Sequence, residues 1–239
     1  WRISRYGVWA TSWTTDQAGP MTKTVEDNAI AMEALAVFDP KDPVSINLER
    51  SGYRSSIRDG IRGLKVGLPV DSWVWKEWIG QDEEDAIRKA VAVLEELGAE
   101  IVEVAIPLAY EARNNSLAAE SLVWLQDNFS RDVLDGWEEL RPQMDRAKDQ
   151  TFAEYLHGQQ KRMAIRQEAV AVLKQADVIA MPTGSTIGDE WDATAAKIRG
   201  KTVPARSRAV YLNGMASQTG LPAISIPCGF AKEGRFPVG

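Results

Sequence analysis

The sequence holds one cysteine and one histidine among 239 residues. A single cysteine, Cys228, excludes an internal disulfide and fits a reducing compartment. A structural zinc site takes about four Cys or His ligands at set spacings, so this composition argues against zinc. "GDEWD" (188–192) groups Asp189, Glu190 and Asp192, but nothing around them resembles a calcium loop. It reads as a solvated acidic loop, and no metal residue is assigned. Cys228 and His157 are the only thiol and imidazole available for a nucleophile and base pair. Cys228 follows a buried-looking strand, where a free cysteine serves as a small hydrophobe, and the dyad is not favoured. Several catalytic and nucleotide motifs are missing as well. There is no G-x-S-x-G elbow, no P-loop and no G-x-G-x-x-G. The glycines of "IRDGIRGLKVG" precede a strand, whereas a nucleotide site needs them after one.

Basic charge is also scarce. The chain carries 28 Lys and Arg against 34 Asp and Glu, a net charge of −6, with a pI near 5.0. That argues against a nucleic-acid face, which needs clustered cations. No signal-peptide core stands in "WRISRYGVWA". The one long uncharged run, 209–231, is interrupted by Gly214, Gly220, Pro222, Pro227 and Gly229 and does not read as a membrane span. A cytoplasmic protein without a membrane segment is expected. The chain opens on Trp1 and stops at "GRFPVG", and is expected to be a piece of a longer one.

What is present reads as α/β. Thr24 with Asp27 three residues later makes a plausible N-cap, followed by the stripe Ala29, Ile30, Met32, Leu35 and Ala36. The prolines of "DPKDP" stop that helix. Residues 63–69 read as a strand, and a connection over 70–81 carries Trp73, Trp75 and Trp78, read as a loop anchored on the domain. Asp82 is expected to cap a helix with Ile87, Ala90, Val91, Leu94 and Leu97 inward, ended by Gly98. Residues 100–107 are the next strand, and the order strand, helix, strand predicts a parallel pair. Residues 111–135 are helix-like, with Leu117, Leu122, Leu125 and Phe129 as core. A longer helix is predicted from Thr151 to about 174, and strands over 176–182 and 223–227. Taken alone, these residues give a soluble α/β domain without a recognisable catalytic group.

Several stretches together carry a family likeness. "RISRYGVWATSWTTDQAGPMTKTVEDNAIAMEALAVFDPKDP" contains an "RxSRYG" strand, a "DxxGPM" turn, a "TVED" helix start and a "DPxDP" stop. "GLKVGLP", "ADVIAMPT" and "TGLPAISIPCGF" followed by "PVG" come later, in order. Across nearly the whole chain these segments resemble the amidase signature family, specifically its C-terminal portion. The resemblance implies a three-layer fold, a mostly parallel mixed sheet covered by helices on both faces and incomplete at both ends, with residues 1–239 as part of a single domain.

The resemblance also implies acyl transfer from amides. In the family a serine attacks the carbonyl, a second serine in a cis peptide relays its proton, a lysine is the base, and backbone N–H groups hold the oxyanion. Those groups belong upstream of Trp1 in relatives, so no catalytic residue is assigned here and the 239-residue chain is expected to be inactive alone. Asp16, Gly19, Trp124, Ser217 and Thr219 are the implied pocket or support residues. The segment 208–219 lies where relatives build an acyl pocket. Ser217 stands where relatives commonly have Asn, and Val210 where the A-type subunits of amidotransferases carry an acid. These departures favour a hydrolase of a small amide, with no cofactor, over one component of a glutamine-dependent tRNA amidotransferase. A non-catalytic relative binding a ligand or partner is a further alternative, and a homodimer is compatible with either enzyme reading.

Overall fold

The computed structural model describes residues 2–9, 12–49, 52–70, 78–114, 117–138, 141–185, 193–204, 214–231 and 236–239. Trp73, Trp75, Val210, the acids of 188–192 and the first part of 208–219 lie outside the described residues. Two compact units are present: residues 1–60 with 117–152, and residues 61–116 with 153–239.

The first unit is helical. Helix α1 (Val25–Leu35) starts where Thr24 accepts a hydrogen bond from the Asp27 amide at 3.0 Å, a cap worth about 1 kcal/mol. Of its expected apolar stripe only Ala29 is buried, and Ile30 and Leu35 are about half exposed. A short turn of helix, α2 (Tyr53–Ser56), lies against α1. The stretch expected as one helix over 111–135 is instead three pieces. A 3₁₀ segment covers Pro107–Asn114 and belongs to the second unit. In the first, α4 (Ala118–Asn128) and α5 (Arg131–Asp135) are separated by extended Phe129 and Ser130. Ser130 stands at the N-cap of α5 with extended φ and ψ but without a side-chain cap hydrogen bond, and the extended pair interrupts the apolar repeat. A further helix that the sequence pattern did not announce, α6 (Arg141–Asp149), packs on α4. Leu122, Leu125, Leu134, Met144 and Ala147 form the core between them.

The second unit is built on a three-stranded parallel sheet. Its strands are β1 (Lys65–Pro69), β2 (Glu100–Val104) and β3 (Val178–Ile179), in the order β2-β1-β3. The predicted βαβ unit is there: β1 leads through α3 (Gln81–Glu96) to β2 in parallel register, Val66 opposite Ile101. α3 begins one residue after Gly80, not at Asp82, which lies in its first turn. Leu97 closes the helix and is more than half exposed, while Gly98 follows at φ +93, a left-handed C′ that glycine adopts without a Cβ clash. Leu68 packs with Ile79, Ile87 and Val91 on one face of the sheet. Val102, Val104 and Ile179 pack with Val172 of α7 (Phe152–Val172) on the other. Helices therefore cover both faces, as an α/β three-layer arrangement requires. Gly67 lets the layers close up, because a Cβ there would sit 3.1 Å from the Ala176 Cβ.

Three expected strands differ from expectation, and the first, in "RxSRYG", does not form, since residues 2–9 are loop and turn. Only Val178 and Ile179 of 176–182 join the sheet, and as an edge strand β3 leaves Val178 43% exposed. Residues 223–227 form no strand at all. Their apolar alternation has no neighbouring strand to pair with among the described residues, and Ile224 and Ile226 are 64% and 52% exposed. The pairing occurs further on, between β6 (Gly229–Phe230) and β7 (Pro237–Val238). A hairpin, β4 (Ala195–Ile198) and β5 (Lys201–Pro204), turns through Arg199 and Gly200, both at positive φ. Arg199 fastens it to α3, donating to the Ile79 carbonyl at 2.9 Å and pairing with Glu84.

Candidate functional site

In the first unit the "RxSRYG" and "DPxDP" motifs meet. The Arg5 amide donates to Asp42 Oδ2 at 2.8 Å, and Arg5 Nε lies 3.7 Å from the same oxygen. One position earlier the Ser4 hydroxyl donates to Asp39 Oδ2 at 2.6 Å. That hydroxyl and the Lys41 amide, aided by the Lys41 charge, hold Asp39 below its ordinary value against the opposing effect of desolvation. "DPKDP" is thus more than a helix stop, since its two acids anchor the N-terminal segment at Ser4 and Arg5.

The turn around Asp16 is fixed from three sides. Asp16 accepts the Ser12 amide at 3.0 Å on Oδ2, and its own amide donates back to the Ser12 carbonyl at 2.9 Å. Arg5 Nη1 donates to the Trp13 and Asp16 carbonyls at 2.6 and 3.2 Å. Glu120 of α4 accepts from the Ser12 hydroxyl, the Thr14 amide and the Thr14 hydroxyl at 2.9, 2.8 and 2.7 Å. The Asp16 carboxylate is therefore occupied in closing its own turn. Gly19 is exposed, with nothing within 4 Å of where a Cβ would stand.

Trp124 projects from α4 into an aromatic cluster. Its ring centroid is 5.2 Å from that of Trp9, which lies 4.9 Å from both Phe129 and Trp137. Offset and edge contacts at such distances add roughly 0.5–1.5 kcal/mol each beyond area burial. The cluster borders a cavity of about 440 Å³ whose lining includes Arg5, Tyr6, Trp9, Trp13, Lys41 and Trp124. Sequence reading singled out Trp124 but not Trp9, Arg5, Lys41 or Glu120. Glu120 reaches partners more than a hundred positions away, and no local spacing announces that.

Ser217 and Thr219 belong to the second unit. Residues 214–219 are helical. Thr219 is 1% exposed and its hydroxyl donates to the Met215 carbonyl at 2.9 Å, so the side chain is committed to its own helix. Arg162 donates to the Gln218 carbonyl at 2.8 Å and Arg166 to that of Thr219, placing two cations at the negative end of this helix. Ser217 is half-buried. Asp16, Gly19 and Trp124 are thus on one unit and Ser217 and Thr219 on the other.

Cys228 packs among Ile79, Ile87, Leu68 and Val91, and burial pushes its thiol above the ordinary value. An activated nucleophile needs the opposite shift. His157 is exposed on α7. Among the described residues no cluster of His, Cys, Asp and Glu could hold a metal ion, and no helix is long and apolar enough to cross a membrane.

A parallel sheet with helices on both faces defines the second unit as α/β, and the first unit carries a braced turn beside an aromatic cavity. The Amidase family profile matches residues 1–239, and the chain belongs to that family. It is 29% identical over 244 residues to an amidase of Pseudomonas putida, covering 98% of this chain and 50% of that protein. It is 32% identical over 274 residues to the A-type subunit of the glutamyl-tRNA(Gln) amidotransferase of Halalkalibacterium halodurans, covering 100% of this chain and 53% of that one. Among solved structures it resembles a member of a vestigial protein complex tied to the origins of an s-triazine catabolic enzyme. There the TM-score is 0.88 at 23% identity, over 100% of this chain and 51% of the other, a likeness of fold. The chain spans about half the length of the relatives it matches.

Proposed function

We propose that residues 1–239 are the C-terminal portion of a single amidase-signature domain in a soluble, cytoplasmic enzyme that hydrolyses a carboxamide C–N bond. In this reading a Ser–cis-Ser–Lys triad is supplied by sequence preceding Trp1, and this chain contributes support and pocket wall. The observation that carries it is the family match across 1–239 by a chain half as long as its relatives. The site geometry supports the same division of labour. The carboxylates of the first unit are spent on bracing, with Asp16 closing its turn and Glu120 holding residues 12–14. Neither stands ready as a base. Ser217 and Thr219 remain the pocket or support residues of this proposal, Thr219 as support, since it is buried with its hydroxyl and carbonyl both taken.

The test compares the 239-residue chain with the protein expressed together with its upstream coding sequence on a panel of carboxamides. Hydrolysis by the longer protein only is the expected result, and hydrolysis by the short chain alone would overturn the proposal. A second reading, the A-type component of an amidotransferase, is favoured by the 32% identity to such a protein. It requires the longer protein to release ammonia from glutamine only with partner proteins, whereas the amidase needs none.

A further inference from the structure

The cavity of the first unit has more character than a generic wall. Trp9 and Trp13 are 40% and 46% exposed on it, and Tyr6 is 63% exposed. The rings are also held in place before any ligand arrives. Trp9 is wedged among Trp124, Phe129 and Trp137, and Trp13 is fixed through Arg5 to its carbonyl and the Arg5 guanidinium 5.3 Å over its ring. A rigid indole wall binds planar π systems with little ordering cost. At about 440 Å³ the space is within the ordinary range for a small-molecule site.

Charge narrows the ligand further. Two cations and one acid line the cavity, and the acid, Asp42, is already paired with Arg5. Lys41 lies over the Tyr6 ring at 5.1 Å and forms no ion pair among the described residues. Asp39, which feels the Lys41 charge, accepts the Ser4 hydroxyl and the Lys41 amide. Lys41 is thus the lining cation outside an ion pair, exposed at the Tyr6 rim, where its ammonium shares its field with the ionised Asp39.

We propose that this cavity is a preformed site for a planar aromatic ring bearing an acidic group, the ring against Trp9 and Trp124 and the acid toward Lys41. The binding claim stands on this geometry, and only its meaning, that the substrate amide carries such a group, rests on the amidase reading.

Calorimetric titration of the 239-residue chain with 2-naphthoate, 2-naphthamide, cyclohexanecarboxylate and 2-naphthylmethylammonium tests it. 2-Naphthoate should bind about tenfold or more tightly than cyclohexanecarboxylate, and the ammonium compound should bind weakest. Lys41→Gln, an exposed substitution, should level naphthoate with naphthamide while leaving naphthamide binding in place. Trp9→Leu, checked for folding by circular dichroism, should remove the ring preference. Equal binding of the flat and the saturated acids, or an unchanged acid preference in Lys41→Gln, would overturn the proposal. Binding needs no turnover, so the two readings fail separately. A longer protein that hydrolyses aliphatic amides without ring selectivity removes the substrate class alone. Ring binding by a longer protein that hydrolyses no amide removes the amidase reading alone.

Discussion

Arg5 and Asp42 stand 37 positions apart and meet twice, through the Arg5 amide at 2.8 Å and through Nε at 3.7 Å, with both side chains buried. The contact ties the first residues of the first unit to the loop after α1. Removing one member of a buried pair leaves the other charge uncompensated, a loss of about 3–5 kcal/mol. Asp42→Ala should therefore melt the first unit at lower temperature, read by the fluorescence of Trp9, Trp13, Trp124 and Trp137. Retained melting behaviour would show that the pair contributes nothing.

Glu120 gathers three donors from residues 12–14. Glu120→Ala should cost about 1–3 kcal/mol by stranding them. It should also release Trp13, seen as faster acrylamide quenching. Glu120→Gln keeps one acceptor oxygen and should fall between the two.

Acid should loosen specific contacts before the core. Asp39 is held below its ordinary value of 3.8, chiefly by the Ser4 hydroxyl. For Glu84 burial pushes upward, but hydrogen bonds and charge from Arg88 and Arg199 outweigh it, and its net position is below 4.5. Both are depressed in the folded chain, so their stabilisation is present above those ordinary values and is lost as pH falls through the folded ones. Protection factors of the β4 and β5 ladder amides should fall as the pH drops below the ordinary glutamate value of 4.5, and Arg199→Ala should abolish that step. A protection factor there that does not change with pH would contradict it.

Cys228 offers a chemical probe. With its thiol raised by burial, it should react with iodoacetamide at pH 8 several-fold more slowly than a free cysteine. In urea the difference should vanish.

Gly200 sits at φ +81 in the two-residue turn between β4 and β5. A β-branched residue does not tolerate that conformation, so Gly200→Val should cost about 1–2 kcal/mol. It should also free Arg199 from α3, visible by NMR as a smaller Glu84 pKa depression, with the Arg88 contribution remaining.

Features signalled by neighbouring residues were legible. Thr24 with Asp27, Gly98 after α3, and the buried run of β1 all announced themselves within a few positions. The fold class followed from their order, and the family likeness from quoted motifs. Features set by distant partners were not. Phe129 and Ser130 split a continuous apolar repeat because α5 and α6 fold back on α4. Gly80 took the cap expected of Asp82, moving the start of α3 forward by two positions. Of the site, the Asp16 turn and Trp124 were within reach, but Glu120 and Arg5 act across separations that no spacing rule encodes. Their roles emerged only with the tertiary contacts.

The stretch Ala223 to Ile226 has a further consequence for handling the protein. Its amides and carbonyls form no backbone hydrogen bonds among the described residues, and its two isoleucines are 64% and 52% exposed. Such a row is a template for another extended chain. Pro222 and Pro227 bracket it, and since proline donates no ladder hydrogen bond they limit how far an added strand can zip. Solutions of this chain should consequently turn cloudy with concentration and clear on replacing Ile224 and Ile226 by lysine, so the same four residues that sequence reads as a core strand govern its colloidal behaviour.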